Sequence, residues 1–406
     1  MASFRDWQRR ATPWFCLFGL GLTRPRRIAG WTPALLFCLL GLGLTQPNAL
    51  AQPLDVEVEA LELPPTTAFW DKVFNVRVGM GYRDNVLLSH FNPEGSAFVS
   101  SRLEALFWRL PVDATEFLFF VSGDDLRYLS GGQVDKEQSL ISQAKLTRYL
   151  AHGWQGGLSL DYSYQNQVID VSATEADVAA VQLQGHGLTI RPSLKKSFEK
   201  SFYLELEGPA TRQYLRQPLD DYWEAGPRLT LGRPYGQRSE LALSYGWTRR
   251  WYDDRWQSAT DGTRIPGTLL EFQSHETELA WRHHWDEKRR WRTVTKLGFE
   301  LNEDNGSGYF DYTRRWLSQQ ILYQASSWEL SGEVKVGRYD FEVQTVGAAD
   351  SARRSKTDVT FALRGEKSLL SSLKLFAQFE HERSLSNEAS YEYTLNTVSG
   401  GVDWEF

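Results

Sequence analysis

Histidine and acidic residues are the side chains of this 406-residue sequence whose types could support catalysis. Two of the seven histidines stand near a residue type that hydrolases use, because His284 is close to Asp286 and His275 follows Ser274. Such pairs support nucleophilic or general-base chemistry. Neither pair belongs to a catalytic motif, and the adjacent His283 and His284 would point to opposite faces of a strand. We therefore predict that the chain is not an enzyme and has no catalytic residues.

Metal and cofactor chemistry has little support in the sequence. Five acidic residues in or beside predicted loops carry oxygen ligands that suit Ca²⁺, namely Asp253, Asp254, Asp261, Glu303 and Asp304. Their spacing matches no calcium-binding loop, and solvated surface acids explain them more simply. Glycine-rich phosphate loops are absent, and the two cysteines, Cys16 and Cys38, lie near the N-terminus. We predict no metal site and no cofactor, and the net charge of −6 argues against a nucleic-acid partner.

Alternating hydrophobicity is the main structural signal after residue 72. In one segment Leu158 and Leu160 alternate with Ser159 and Asp161, which is the pattern of a strand with one apolar face. About sixteen such segments (14–18) follow one another, although the phase is ambiguous in the third, sixth and twelfth. After residue 50, no apolar run approaches the ~20 residues of a membrane helix. A transmembrane barrel has the same profile, because only alternate residues face lipid.

The connections between these segments fall into two classes. Links after even-numbered segments are often short, as at 111–114, 151–153, 286–290 and 325–327. Links after the fifth, ninth and thirteenth segments are long and polar, at 170–178, 253–266 and 344–355. Barrels that span the bacterial outer membrane show short periplasmic turns and longer extracellular loops. The sequence therefore predicts an all-β fold, a single up-and-down antiparallel transmembrane β-barrel.

Aromatic residues form 14% of the chain, and several tryptophans lie near predicted segment ends. A tryptophan at a membrane interface can face lipid while its polar edge stays hydrated. We expect interfacial positions for Trp154, Trp251, Trp256, Trp285, Trp291, Trp316 and Trp328.

The last strand carries a family resemblance. Counting back from Phe406, every second residue is apolar or small: Trp404, Val402, Gly400 and Val398. This strand resembles the closing strand of bacterial outer-membrane β-barrels. The resemblance implies that Phe406, Trp404 and Val402 form a signal for the barrel-insertion machinery. It also implies a location in the outer membrane of a Gram-negative bacterium, with membrane lipid and lipopolysaccharide as partners.

The first strand carries a second, shorter resemblance. Residues 79–86 read Gly-Met-Gly-Tyr-Arg-Asp-Asn-Val. This opening resembles those of the putative β-barrel porin families and of barrels linked to exopolysaccharide or surface-lipoprotein export. Surface-lipoprotein assembly modifiers carry an N-terminal helical-repeat domain, for which this chain has no room, so that branch is disfavoured.

Charged residues on the polar faces of the strands are the candidate functional residues. On a lipid-facing surface each Lys or Arg would cost roughly 2–4 kcal/mol at the membrane midplane, so the strand phase predicts that they line the lumen. They could form a constriction that sorts solutes by charge, or a salt-bridged wall that stabilises the barrel. Both signs occur, so no ion preference follows. The candidates are Arg102, Glu104, Asp161, Glu205, Glu207, Arg292, Lys296, Glu300, Glu329, Glu333, Lys335, Arg364, Lys374 and Glu380.

The N-terminal part predicts export. Three arginines (Arg24, Arg26 and Arg27) precede the apolar run 33–44, and Ala-Leu-Ala follows at 49–51. This is the pattern of a secretory signal peptide, which we assign to residues 1–51. Residues 52–72 are predicted to be an acidic periplasmic extension, either a flexible lead-in or a short plug or docking tail. Residues 73–406 are assigned to the barrel.

Three functions remain open for such a barrel. The first is a passive, porin-like diffusion channel for small hydrophilic solutes, because a barrel of this strand number encloses a lumen wide enough for water unless loops fill it. The second is an exit channel for an exopolysaccharide or other envelope polymer, which implies periplasmic export partners and an occluded resting state. The third is a structural or adhesive barrel that does not conduct.

Overall fold

A computed structural model describes residues 70–130, 132–175, 179–198, 202–347 and 352–406 of the chain. The predicted signal peptide (1–51) and most of the predicted acidic extension lie outside these residues. The described chain forms sixteen antiparallel strands. They are β1 (Trp70–Arg83), β2 (Ser96–Val112), β3 (Thr115–Tyr128), β4 (Lys136–Tyr149), β5 (Trp154–Asp170), β6 (Ala180–Phe198), β7 (Phe202–Glu207 and Ala210–Leu215), β8 (Tyr222–Ala225 and Arg228–Tyr235), β9 (Ser239–Tyr252), β10 (Glu271–His284), β11 (Trp291–Asp304), β12 (Tyr312–Gln324), β13 (Trp328–Thr345), β14 (Arg353–Ser368), β15 (Leu373–Ser386) and β16 (Tyr393–Glu405).

The strands close into a barrel. Each strand pairs with the next along the chain, and β1 pairs with both β2 and β16. At the closing seam Val78 lies opposite Val402, and the Phe406 N–H donates to the Phe74 carbonyl oxygen over 2.8 Å. Strands β7 and β8 are each interrupted once, at 208–209 and at 226–227, without a change in register. The predicted all-β, sixteen-stranded up-and-down barrel is confirmed.

The alternation of residue types explains which face of each strand points outward. In β5, Leu158 and Leu160 are 50% and 47% exposed, whereas Ser159 and Asp161 between them are 4% and 7% exposed. Apolar side chains therefore cover the outside and polar side chains the inside, the reverse of a water-soluble barrel. This arrangement is stable where hydrocarbon surrounds the protein, since only a closed barrel leaves no unpaired sheet edge in lipid.

Exposed aromatic residues mark the two rims of the apolar belt. At the end with short turns, which we call the periplasmic end, lie Trp70, Trp154, Trp285, Trp291, Trp328 and Trp404. Near the opposite, extracellular end lie Tyr82, Tyr214 and Trp223. Such girdles sit at the two membrane–water interfaces. The closed wall, the apolar belt and the girdles together make this a barrel of the bacterial outer membrane.

Two details of the sequence prediction are corrected. The first strand begins at Trp70, so 70–72 belong to the barrel and not to the extension. Trp316 is not interfacial, because its side chain points into the barrel and is buried between Gly298 and Gly337 on the neighbouring strands. No helix among the described residues is long and apolar enough to cross a membrane.

Candidate functional site: the barrel interior and its extracellular closure

The predicted lumen residues all occupy inward-facing register positions. Directly paired residues of neighbouring strands share a face, and the rows that contain these residues are the less exposed ones. Glu104, for example, lies between Asn75 of β1 and Ser122 of β3, and all three side chains are buried. Whether they line a conducting path stays a prediction.

Most of these charges are paired with a charge on the same or the adjacent strand. The pairs, with their shortest nitrogen–oxygen distances, are Arg102–Asp124 (2.5 Å), Arg102–Glu104 (3.7 Å), Asp161–Arg191 (3.4 Å), Glu205–Lys195 (3.8 Å), Lys296–Glu278 (3.4 Å), Glu300–Arg314 (3.4 Å) and Glu333–Lys335 (3.1 Å). Glu380 accepts a hydrogen bond from Gln378. Glu207 lies opposite Arg228, Arg292 opposite His284 and Glu329 opposite Glu366.

A denser charged cluster lies toward the periplasmic end of β1 and β14–β16. The Arg77 guanidinium is 2.7 Å from Asp403, and Arg364 is 2.8 Å from Glu366 and 3.9 Å from Asp403. Lys374 is 3.5 Å from Glu366. Opposite charges on β1 and β14–β16 hold these strands together, so this cluster, like the pairs above, stabilises the barrel wall.

Sequence reasoning missed the partners in five of these pairs. Asp124, Arg191, Lys195 and Arg314 lie on β3, β6 and β12, the three segments whose phase was ambiguous, and Glu278 lies on β10. In β3 the reason is visible, because apolar residues occupy both faces: Phe119 points outward while Phe120 is buried inside. Alternation of hydrophobicity cannot fix the phase of such a strand. The register with its neighbours could have done so.

Contacts of a different kind close the extracellular end. The Lys356 ammonium of β14 is 2.5 Å from the carboxylate of Asp170, the last residue of β5. Arg354, also on β14, donates from Nη1 to the Ser172 carbonyl oxygen over 2.7 Å. Strands β5 and β14 lie on nearly opposite sides of the barrel. The chain after β5 therefore reaches across the lumen, and we call residues 170–175 the crossing segment.

The loop after β9 joins the crossing segment from a third direction. Arg255 donates a hydrogen bond to the Thr174 carbonyl oxygen, and its guanidinium is 2.9 Å from the Glu175 carboxylate. The same guanidinium lies over the rings of Tyr252 and Phe310, 4.9 and 5.0 Å from their centres. A cation held against aromatic faces and a carboxylate is a stable arrangement away from water. Arg255 thus fastens the crossing segment to β9 and to the loop after β11.

An aromatic core lies beneath these polar contacts. It contains Ala173 of the crossing segment together with Tyr222, Tyr252, Leu270, Phe272, Phe310, Tyr312, Tyr339 and Phe341. Val171, Leu270 and Tyr312 have no exposed surface. These side chains are buried in the region where an open lumen would hold water, so they obstruct the extracellular end. We call the crossing segment, Arg255, Arg354, Lys356 and this core the extracellular closure.

The loop after β11 is folded by its own backbone contacts. The Asp304 carboxylate accepts hydrogen bonds from the N–H groups of Gly306, Gly308 and Phe310, which positions the Phe310 ring in the core. Asp311 accepts a hydrogen bond from the Asp304 N–H over 2.7 Å. Burial, together with the nearby carboxylates, raises the pKa of Asp311 to about 7.

The histidine pairs considered for catalysis are not assembled. Ser274 points inward, whereas His275 lies on the outer face with Tyr245 Oη 2.8 Å from its Nδ1. Asp286 accepts hydrogen bonds from Trp291 N–H and Arg290 within a turn. A serine–histidine pair that was not predicted, Ser239 with His283 at 2.7 Å, lies on the outer face beside Trp281 and Trp285.

The candidate metal ligands do not converge either. Over the described ranges, no group of three or more His, Cys, Asp or Glu side chains could hold a metal ion. Asp253 instead pairs with Arg212, and Asp261 accepts hydrogen bonds from the Thr263 backbone and hydroxyl. These acids stabilise loops.

Comparisons with family models, curated proteins and solved structures gave matches only among the solved structures. No protein-family model matches it, and no curated protein matches it in sequence. Among solved structures it is similar to OccAB3 of Acinetobacter baumannii (10% identity, 83% of this chain and 99% of that one, TM-score 0.46). Others are an anion-selective porin from Comamonas acidovorans (11%, 83% and 99%, 0.44) and a bacterial polysaccharide outer membrane secretin (10%, 82% and 98%, 0.42). Similarity of this extent carries no information about cargo.

Proposed function

We propose that this protein is an outer-membrane channel for small hydrophilic solutes, and that its extracellular closure is the gate. The observation that carries the proposal is the crossing segment, whose Asp170 and Ser172 contact Lys356 and Arg354 on the far wall. A wall that served only to hold a barrel together needs contacts between neighbouring strands. Contacts that span the lumen add a way to close it.

The inner wall supports passage of hydrophilic solutes once the closure opens. Toward the periplasmic end it carries many polar and charged residues, whose opposite charges are paired as in Asp161–Arg191 and Lys296–Glu278, beside one apolar patch on β1–β3. A lumen lined by paired charges of both signs should not strongly exclude solutes of either charge. We therefore expect weak ion selectivity in the open state. No chemistry on the solute is needed.

A second candidate, an exit channel for an envelope polymer, is favoured by one observation. An occluded resting state is expected of such an exporter, and the extracellular end of this barrel is obstructed by the aromatic core. A diffusion channel would open spontaneously and often. An exporter would stay closed until its polymer or a periplasmic partner arrived.

Planar-bilayer recording of the refolded chain tests the proposal. Folding is checked first by heat-shifted gel mobility, which reports the intact barrel independently of conduction. We expect discrete spontaneous openings of weak selectivity, and swelling of vesicles that carry the protein in solutions of small neutral sugars. A correctly folded barrel that never opens at any voltage would overturn the diffusion channel. Openings that appear only after polymer is added would favour the exporter.

A further inference from the structure

Three prolines interrupt the barrel wall on neighbouring strands at one level. Pro192 lies in β6, Pro209 in the break of β7 and Pro227 in the break of β8. The register places Pro192 opposite Gly208 and Pro227 opposite Trp247. Proline is confined to edges, first residues and bulges of most sheets, because it has no N–H for the ladder. A closed barrel has no edge on which to place one, so three in a row need an explanation.

At this level each pair of strands forms only one of the two ladder hydrogen bonds expected between opposite residues. The carbonyl oxygens of Pro192, Pro209 and Pro227 accept from the N–H groups of Gly208, Gly226 and Trp247, over 3.0, 3.2 and 3.0 Å. In an antiparallel pair of this kind the reciprocal bond would come from the proline nitrogen, which has no hydrogen. Each of the three strand pairs β6/β7, β7/β8 and β8/β9 therefore lacks one ladder bond at the same height. We call this line the proline seam.

Glycine completes the seam by allowing close approach. A Cβ atom on Gly226 would lie 1.8 Å from the Trp247 carbonyl oxygen, so no other residue fits there without displacing β9. Gly208, the residue before Pro209, faces Pro192. The same Gly-Pro dipeptide thus breaks two adjacent strands at one level. Both breaks are features of the sequence and not of one local contact.

The part of the β7–β8 hairpin beyond the seam is built into the extracellular closure. We call residues 210–225 the flap. Its Leu219 packs against Val171 of the crossing segment and against Leu183. Its Tyr222 lies in the aromatic core, 5.5 Å from the Tyr252 ring, with the Arg250 guanidinium 4.3 Å away. Movement of the flap would therefore withdraw side chains that hold the crossing segment in place.

We propose that the proline seam is a hinge and that the flap turns about it to release the extracellular closure. This inference deepens the proposed function by naming the moving part, and it rests on the premise that the closure opens. Missing ladder bonds lower the cost of bending the wall along one line. Above the seam the flap still pairs with residues 185–190 of β6 and 249–252 of β9, so turning it also breaks those two short ladders. The ladders below the seam keep the rest of the barrel rigid.

Two matched disulfides test the hinge. Thr189 of β6 and Thr211 of the flap have their hydroxyl oxygens 2.8 Å apart, above the seam. Thr230 of β8 and Ser244 of β9 form the equivalent pair below it, at 2.9 Å. Both pairs are changed to cysteine in the full chain, in a background with Cys16→Ser and Cys38→Ser. The first disulfide ties the flap to β6, and the second serves as the control.

Amide hydrogen exchange measures local opening of the flap and does not depend on whether the barrel conducts. We expect amides of 210–225 to exchange about 10-fold faster than those of 202–207 and 228–235 on the same two strands, because local opening governs exchange. The T189C/T211C disulfide should abolish that difference, reduction should restore it, and the T230C/S244C disulfide should leave it unchanged. Equal exchange above and below the seam would overturn the hinge.

Channel recording then separates this inference from the proposed function. Openings that the T189C/T211C disulfide suppresses and reduction restores would support both. If this disulfide leaves the frequency of openings unchanged, the hinge is contradicted and the proposed channel function is still supported. Fast amide exchange of the flap in a barrel that never conducts would contradict the proposed channel function and still support the hinge. Pro209→Ala with Pro227→Ala, which restores two N–H donors, should slow exchange of the flap and reduce the frequency of openings.

Discussion

The contacts at the two ends of the barrel interior span different distances around the wall. Toward the periplasmic end, charges pair with residues on the same strand or on strands at most two apart, as Arg77 does with Asp403. At the extracellular end, Asp170 and Lys356 pair across the lumen, and a loop packs its Phe310 into an aromatic core. Contacts within a wall stabilise it whether or not the lumen is open. Contacts across the lumen obstruct it, so the first set makes a scaffold and the second forms the proposed gate.

The largest expected effect comes from breaking the scaffold. Asp403→Ala should lower the free energy of unfolding by about 4 kcal/mol, because Arg77 loses its partner and Arg364 loses one of two while both stay inside the barrel. Urea-induced unfolding in lipid vesicles measures this loss. Heat-shifted gel mobility should show a lower transition temperature. A variant as stable as the natural chain would mean that the cluster does not hold the wall.

A cavity in the closure should act locally. Phe310→Ala removes a buried ring that packs against Phe272 at 5.8 Å, at a local cost of about 3 kcal/mol. We expect more frequent channel openings and faster proteolysis in the loop 305–311, while the urea transition of the barrel stays close to that of the natural chain. Loss of the whole barrel at lower urea would contradict the separation of gate and scaffold.

The closure should also respond to pH through Asp311. Burial raises the pKa of this carboxyl from 3.8 to about 7, so the folded loop binds a proton that the unfolded loop releases. The resulting stabilisation is complete below pH 3.8 and is lost as pH rises through about 7. We expect openings to be more frequent at pH 8 than at pH 6. Asp311→Asn should remove this dependence, and a pH response that survives in that variant would assign it to another group.

The smallest effect is expected where an ion pair is exposed. Arg338 and Asp340 are 2.9 Å apart, but their side chains are 57% and 38% exposed. Asp340→Ala should change the free energy of unfolding by less than about 1 kcal/mol and leave openings unchanged. The same unfolding and bilayer measurements check it. A large effect would show that burial does not determine which ion pairs contribute to the stability of this barrel.

Local patterns predicted the scaffold well. Alternation such as Leu158, Ser159 and Leu160 fixed the outward face of β5, and loop lengths fixed the direction of the strands. The same signal failed in β3 and β12, where large apolar or aromatic residues such as Phe120 and Trp316 point inward. In those strands hydrophobicity no longer separates lipid from lumen.

No local sequence pattern predicted the proposed gate. Asp170 and Lys356 are far apart in the sequence, and nothing in either segment indicates that the other will face it across the barrel. The Gly-Pro dipeptides at 208–209 and 226–227 are turn signals that can be seen in the sequence. Only the register of four neighbouring strands shows that they stand at one level.

The most direct test of the gate is the open probability of Lys356→Gln in planar bilayers. Lys356 pairs across the lumen with Asp170, whereas Lys335 pairs with Glu333 on its own strand, so Lys335→Gln is the matched control. Loss of the Lys356 charge leaves Asp170 near Asp358 without their shared cation. We predict that Lys356→Gln opens at least about 10-fold more often than the natural chain, since loss of one buried partner costs several kcal/mol, and that Lys335→Gln opens as the natural chain does. Equal open probability in all three folded proteins would contradict the assignment of the extracellular closure as the gate.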